Sequence, residues 1–108
     1  MSNNDSSEKI RELQMLESGL QSLALQRQAF SFEVSETNHA LDEVKSSEGD
    51  VFRIIGSVMV KGDPKAIVGE LEKKLKVLEL RVKSLESQEK ELFDKAENLR
   101  KEVDASLK

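Results

Sequence analysis

Cysteine, tryptophan and tyrosine are absent from this chain, proline and histidine occur once each, and the only aromatic rings are those of four phenylalanines. Each shortage removes a class of protein. Without cysteine there is no disulfide framework, no thiol nucleophile and no thiolate metal site; the composition fits a reducing, cytoplasmic setting. His39 stands alone, so a multi-histidine metal site is excluded as well. The five glycines are scattered at 19, 49, 56, 62 and 69. They form no glycine-rich phosphate loop, and neither nucleotide binding nor hydrolysis is expected. No apolar run approaches the roughly 20 residues that span a bilayer, so no membrane association is expected. The polar, acidic start Met1–Asp5 does not have the profile of a signal peptide. Aromatic side chains supply much of the buried area of a compact core, and at 4% of the chain they are too few for an ordinary globule.

What is abundant is charge, at 35% of residues, with 17 basic against 21 acidic side chains. The two signs alternate along most of the chain and leave no long basic stripe to neutralise phosphates, so nucleic acid is not an expected partner. The 37% apolar fraction is too high and too regularly spaced for a disordered segment. Long, solvated helices are the reading that fits.

Residues 6–47 contain no proline and only Gly19 as a breaker. Through them runs a seam with alternating spacings of three and four: Leu13, Leu16, Leu20, Leu23, Arg27, Phe30, Val34, Thr37, Leu41 and Val44. All but Arg27 and Thr37 are apolar, which is the coiled-coil pattern. Asp5 and Ser6 offer N-capping side chains. A second helix is expected over 64–107, with Asp63 at the cap and Pro64 at the first helical position, where its missing N–H costs nothing. Its seam is Val68, Leu71, Leu75, Leu78, Val82, Leu85, Glu89, Leu92, Ala96, Leu99 and Val103, apolar except for Glu89. Each helix is on the order of 60 Å long.

The two seams match each other. When Leu13 is set opposite Leu99, then Leu16 meets Ala96, Leu20 meets Leu92, Phe30 meets Val82, Leu41 meets Leu71 and Val44 meets Val68, with the residue numbers adding to one constant total. Independent heptads need not agree in this way, so the chain is expected to fold back as an antiparallel hairpin. Arg27 falls one layer from Glu89. Either the two pair and help fix the register, or both long side chains reach out of the seam to water.

Between the helices the period changes to two. Val51–Ile55 and Val58–Val60 are rich in strand formers, and Gly56-Ser57 between them suits a type II′ turn. A β-hairpin is expected over 50–62, with Val51, Ile55, Val58 and Val60 on one face and Phe52, Ile54 and Met59 on the other. A lone two-stranded ribbon is marginal in water, and folding over the helix ends covers one face at most. These seven residues are therefore expected to form a subunit interface.

Little chemistry is on offer. His39 lies at the heptad position farthest from the seam and reads as a solvated surface residue. The many carboxylates read as solvated helix faces with partners four residues away. No catalytic residue, metal site or cofactor is expected, and the chain is not read as an enzyme. Apolar residues outside the seam are Ile10, Met15, Leu25 and Phe32 in the first helix, and Val77, Leu80, Phe93 and Leu107 in the second. Ile10, Met15, Phe93 and Leu107 gather where the termini meet. They are either ordinary surface apolars or an adaptable greasy tip to which methionine lends softness.

Several stretches resemble the β-type subunits of the prefoldin family: Ala40-Leu41-Asp42-Glu43-Val44, then Val51-Phe52-Arg53-Ile54-Ile55-Gly56-Ser57-Val58-Met59-Val60-Lys61, then Leu78-Glu79-Leu80-Arg81 and Leu85-Glu86-Ser87-Gln88-Glu89. The hairpin is the most specific part, although Phe52 stands where the family often has tyrosine. Ser47–Gly62 has room for one β-hairpin, whereas α-type subunits carry two. The resemblance implies a single domain over 1–108, dominated by α-helix: a long antiparallel two-helix coiled coil with one inserted β-hairpin. It also implies a hetero-hexamer of two α-type and four β-type subunits that works without ATP. Unfolded clients would be held near the helix tips, by position at Ile10, Leu13, Met15, Leu16, Leu99, Val103 and Leu107, and passed to a group II chaperonin. The alternative is a structural coiled-coil adaptor that oligomerises through the hairpin and binds one folded partner.

Overall fold

The computed structural model describes residues 3–107. It runs α1 (Asn3–Ser46), β1 (Val51–Ile55), β2 (Val58–Gly62) and α2 (Pro64–Ser106), the helix–hairpin–helix order expected. Helix α1 already includes Asp5 and Ser6, so they do not cap it as expected. No residue there breaks the helix, and the Ser6 Oγ lies 3.2 Å from the Ser106 Oγ. Lys45 sits in the last turn of α1, where a cation suits the helix dipole. At the start of α2 the Ile67 N–H donates to the Asp63 carbonyl at 3.0 Å, which puts Asp63 at the N-cap and Pro64 first in the helix.

By its internal contacts the chain divides into two units, Met1–Gln28 with Val82–Lys108, and Ala29–Arg81. In the first, Leu85, Ala96, Leu99 and Val103 of α2 are buried, and Leu13, Leu16, Leu20 and Leu23 of α1 are half-buried. Four contacts show how the helices meet: Ser6 with Ser106, Glu17 with Arg100, Gly19 with Leu92, and Arg27 with Glu89. A methyl group on Gly19 would come within 3.0 Å of the Leu92 side chain. The Arg27 Nε donates to Glu89 Oε1 at 2.5 Å, and both side chains are partly shielded. Of the two readings the sequence left open for this pair, the ion pair is the one formed. A partly exposed pair adds little stability. It does penalise a slip by one heptad, which would part the ions by about 10 Å and leave charge in an apolar seam.

In the second unit the buried residues are Leu41, Ile67 and Leu78, together with Thr37. Thr37 is a polar residue in an apolar row, and its Oγ1 donates to the Glu33 carbonyl at 2.7 Å, so no hydroxyl is left unsatisfied. The Arg81 guanidinium lies 5.7 Å from the centre of the Phe30 ring, within cation–π range. The strands pair antiparallel as Val51↔Gly62, Phe52↔Lys61, Arg53↔Val60, Ile54↔Met59 and Ile55↔Val58. Gly56 has φ of 64° and no other residue has positive φ among those described. Positive φ at the first turn position alone is the type II′ signature.

Two predictions test this packing. Leu85 is only 1% exposed, so Leu85→Ala should cost about 2–5 kcal/mol, read as a lowered midpoint in thermal or urea unfolding followed by circular dichroism. A cysteine pair at Leu20 and Leu92 should crosslink within one chain under mild oxidation. A pair at Leu20 and Leu85 should not, because seven residues displace it by about 10 Å along the helix; the opposite result would break the register.

Candidate functional site

Two sets of exposed apolar side chains stand out, one in each unit. The first is the ribbon. Both of its strands are edges, with unpaired backbone groups free to template another strand. On one face lie Phe52, Ile54 and Met59, all exposed, Ile54 at 72%. On the other lie Val51, Arg53, Ile55, Val58, Val60 and Gly62, as the pairing dictates. Ile55 and Val58, next to the turn, are exposed as well, while Val51 is half-buried. The seven apolar residues expected at an interface are thus brought together on one small element, and Phe52, Ile54 and Met59 each keep more than half of their surface exposed.

Two contacts hold the ribbon to α2. A Cβ added at Gly62 would stand 2.5 Å from Ile67 Cδ1, so the absence of a side chain at 62 is what lets Ile67 come up against the strand. Beside it the Arg53 guanidinium grips the Glu70 carboxylate two-handed, Nη1 donating to Oε1 at 3.2 Å and Nη2 to Oε2. The hydrogen bond to Glu70, and then its charge, raise the Arg53 pKa above its ordinary value. Lys61 Nζ lies 3.4 Å from Asp50 Oδ1 across the base of the hairpin. Sequence reading missed Ile67 and the Arg53–Glu70 pair. Ile67 lies one position before the seam residue Val68, and an ion pair between a strand and a helix leaves no periodic trace. The available signal was Gly62 itself, since a glycine in a strand often marks a close approach of another element; its φ is not positive, so no turn accounts for it.

The second set lies in the unit that contains the chain termini. Ile10, Met15, Phe93 and Leu107 are exposed there. Leu13 and Leu16 are half-buried, and Leu99 and Val103 are buried at 8% and 7% exposure. The tip residues inferred from family resemblance therefore divide into an accessible group and a group engaged in the helix–helix seam. Leu25, Phe32, Val77 and Leu80 are also exposed, as is His39. Among the described residues no group of three or more His, Cys, Asp or Glu side chains is placed to hold a metal ion, and no helix is long and apolar enough to cross a membrane.

Two long helices zipped antiparallel, with an apolar strand pair between them, define a coiled-coil hairpin protein with unsatisfied apolar surface on the inserted ribbon. The family described as "Prefoldin subunit" matches residues 7–108. The prefoldin subunit beta of Thermococcus kodakarensis is 33% identical over 99 residues, covering 90% of this chain and 85% of that protein. The crystal structure of the prefoldin beta subunit from Thermococcus strain KS-1 superposes with a TM-score of 0.90 at 30% identity, covering 96% of this chain and 93% of that one. The beta2 subunit of the same strain, at 20% identity and a TM-score of 0.74 over 82% of this chain and 97% of its own, shares the fold. This chain belongs to the prefoldin subunit family, on its β-type side. Prefoldin subunits are chaperones rather than enzymes, and they form complexes with other prefoldin subunits.

Replacing Phe52 and Ile54 together with Asp should leave helix content unchanged, since both side chains are more than half exposed and neither lies in the helix seam. Burial of such side chains is worth roughly 1.5–3 kcal/mol each, so the doubly substituted chain should run as monomers or dimers in size exclusion with light scattering. An assembly of unchanged mass would remove the ribbon from the interface.

Proposed function

We infer that this chain is a β-type subunit of a cytoplasmic, ATP-independent chaperone. In this reading four copies join two α-type subunits through their ribbons. The hexamer holds unfolded polypeptides at the helix ends and passes them to a group II chaperonin. The observation that carries the reading is the exposed apolar group Ile10, Met15, Phe93 and Leu107, in a unit that lies apart in the chain from the ribbon.

These side chains suit an unfolded client physically. Contiguous exposed apolar surface is kept small on proteins that bind nothing, and a flexible methionine adapts to irregular partners. Each helix end offers a weak grip, and several ends on one assembly raise the effective concentration for a chain long enough to reach two or more. Leu13 and Leu16 would add half-exposed flanks, while Leu99 and Val103 would join only if the seam parted at its end; otherwise they hold the gripping residues in place. No step in this scheme consumes a nucleotide. The adaptor reading differs in breadth, because an adaptor binds one folded partner whereas a chaperone protects many unrelated unfolded ones.

Deleting residues 1–12 and 100–108 together with Met15→Ser and Phe93→Ser, which removes all four exposed side chains of the group, should leave assembly intact, because the ribbon is untouched. The same changes should abolish suppression of aggregation for several chemically denatured test proteins. Full protection by the truncated assembly would move the grip elsewhere, first to Leu25, Phe32, Val77 and Leu80. Protection of one protein and no other by the full-length assembly would favour the adaptor.

A further inference from the structure

We propose that Arg53 and Glu70, with Ile67 seated against Gly62, act as a clamp that sets the pose of the ribbon on α2 and thereby which apolar surface it offers for assembly. This deepens the assembly reading above and rests on it.

The geometry supplies two independent anchors one helical turn apart. Ile67 is 9% exposed although it lies outside the coiled-coil seam, and what it meets is the bare backbone of Gly62. Glu70, three residues further along, falls on the same side of α2 and takes Arg53 through both guanidinium nitrogens. The Arg53 Cδ lies 4.0 Å from where a Gly62 Cβ would be, so its aliphatic stem adjoins the Ile67 seat. A two-handed Arg–carboxylate pair fixes direction as well as distance, and an apolar seat alone would let the strands swivel.

Magnitude argues for positioning and not for stability. Both partners of the ion pair are exposed, and pairs of that kind contribute little to folding. Holding one orientation of an element with two apolar faces is another matter. The clamp commits the end of one face at Arg53 and Gly62 to α2, leaving Ile55 and Val58 at the turn end of that face, the whole face of Phe52, Ile54 and Met59, and the two strand edges for a neighbour. A ribbon free to turn would offer either face, and ordering it at each contact would weaken association. Arg53 and Glu70 are thus positioning residues for assembly.

The test uses full-length chain mixed with its α-type partner, read by native mass spectrometry across a dilution series. Glu70→Ala and Arg53→Ala should each keep wild-type helix content yet raise the concentration at which the assembly falls apart about tenfold, because small losses compound over several subunits. The exchange Arg53→Glu with Glu70→Arg should restore most of the loss. Gly62→Ala should mimic it by a steric route, without changing charge. If Glu70→Ala assembles like wild type while the Phe52→Asp, Ile54→Asp chain does not, the clamp is refuted and the interface stands; if that Asp chain assembles too, the interface reading falls first. Loss with Arg53→Ala alone, and no rescue by the exchange, would mean that Arg53 touches the neighbour directly, which also overturns the proposal.

Discussion

A pair of helices has room for one apolar seam between them. Each heptad of α1 can turn two residues toward α2 and no more, so every other apolar side chain on either helix stays in water unless something outside the pair covers it. The seam from Leu13 to Val44 and from Val68 to Val103 satisfies this constraint, with buried or half-buried side chains at each of its positions. Leu25, Phe32, Val77, Leu80, Met15 and Phe93 cannot satisfy it and are exposed. The ribbon is the same constraint in another form. Two strands cannot bury both of their own faces, and α2 occupies part of one.

Much of this was legible in the chain because heptad spacing is a direct record of burial. Both seams, the antiparallel register and the turn at Gly56-Ser57 follow from positions and residue types alone. The readings that went astray concern places where the pattern is silent. Asp5 and Ser6 suit a cap, but nothing in α1 stops the helix at that point, so it runs on to Asn3. Ile67 lies beside the seam and is buried by the ribbon, a tertiary contact with no period. Leu99 and Val103 are a different case: position near the chain end suggests a binding tip, and that suggestion stands as a proposal. Their own spacing puts them in the seam, and the structure buries them there. A gripping surface for varied clients carries no fixed motif, because its physical requirement is softness and access, not any one arrangement of groups.

Electrostatics plays a directing part throughout. The net charge of −4 conceals local pairs that each hold a geometry: Arg27 with Glu89 between the helices, Arg53 with Glu70 between strand and helix, Lys61 with Asp50 at the hairpin base. None lies deep enough to bear a heavy desolvation penalty, and none is strong enough to drive folding. Apolar burial supplies the driving force, and the ion pairs select among arrangements that burial alone would leave nearly equal.

The matched seams also prescribe how chains of this kind can change length. An insertion of one, two or five residues in α1 would rotate every later seam position away from α2. Seven residues added to α1 alone would keep its stripe but leave it with no facing layer, and would shift Arg27 away from Glu89. Only a whole heptad gained or lost on both helices at the same level preserves the pairing. Viable variation in helix length should therefore come in coupled steps of about 10 Å, while the loop at Ser47–Asp50, bound by no such periodicity, can drift one residue at a time.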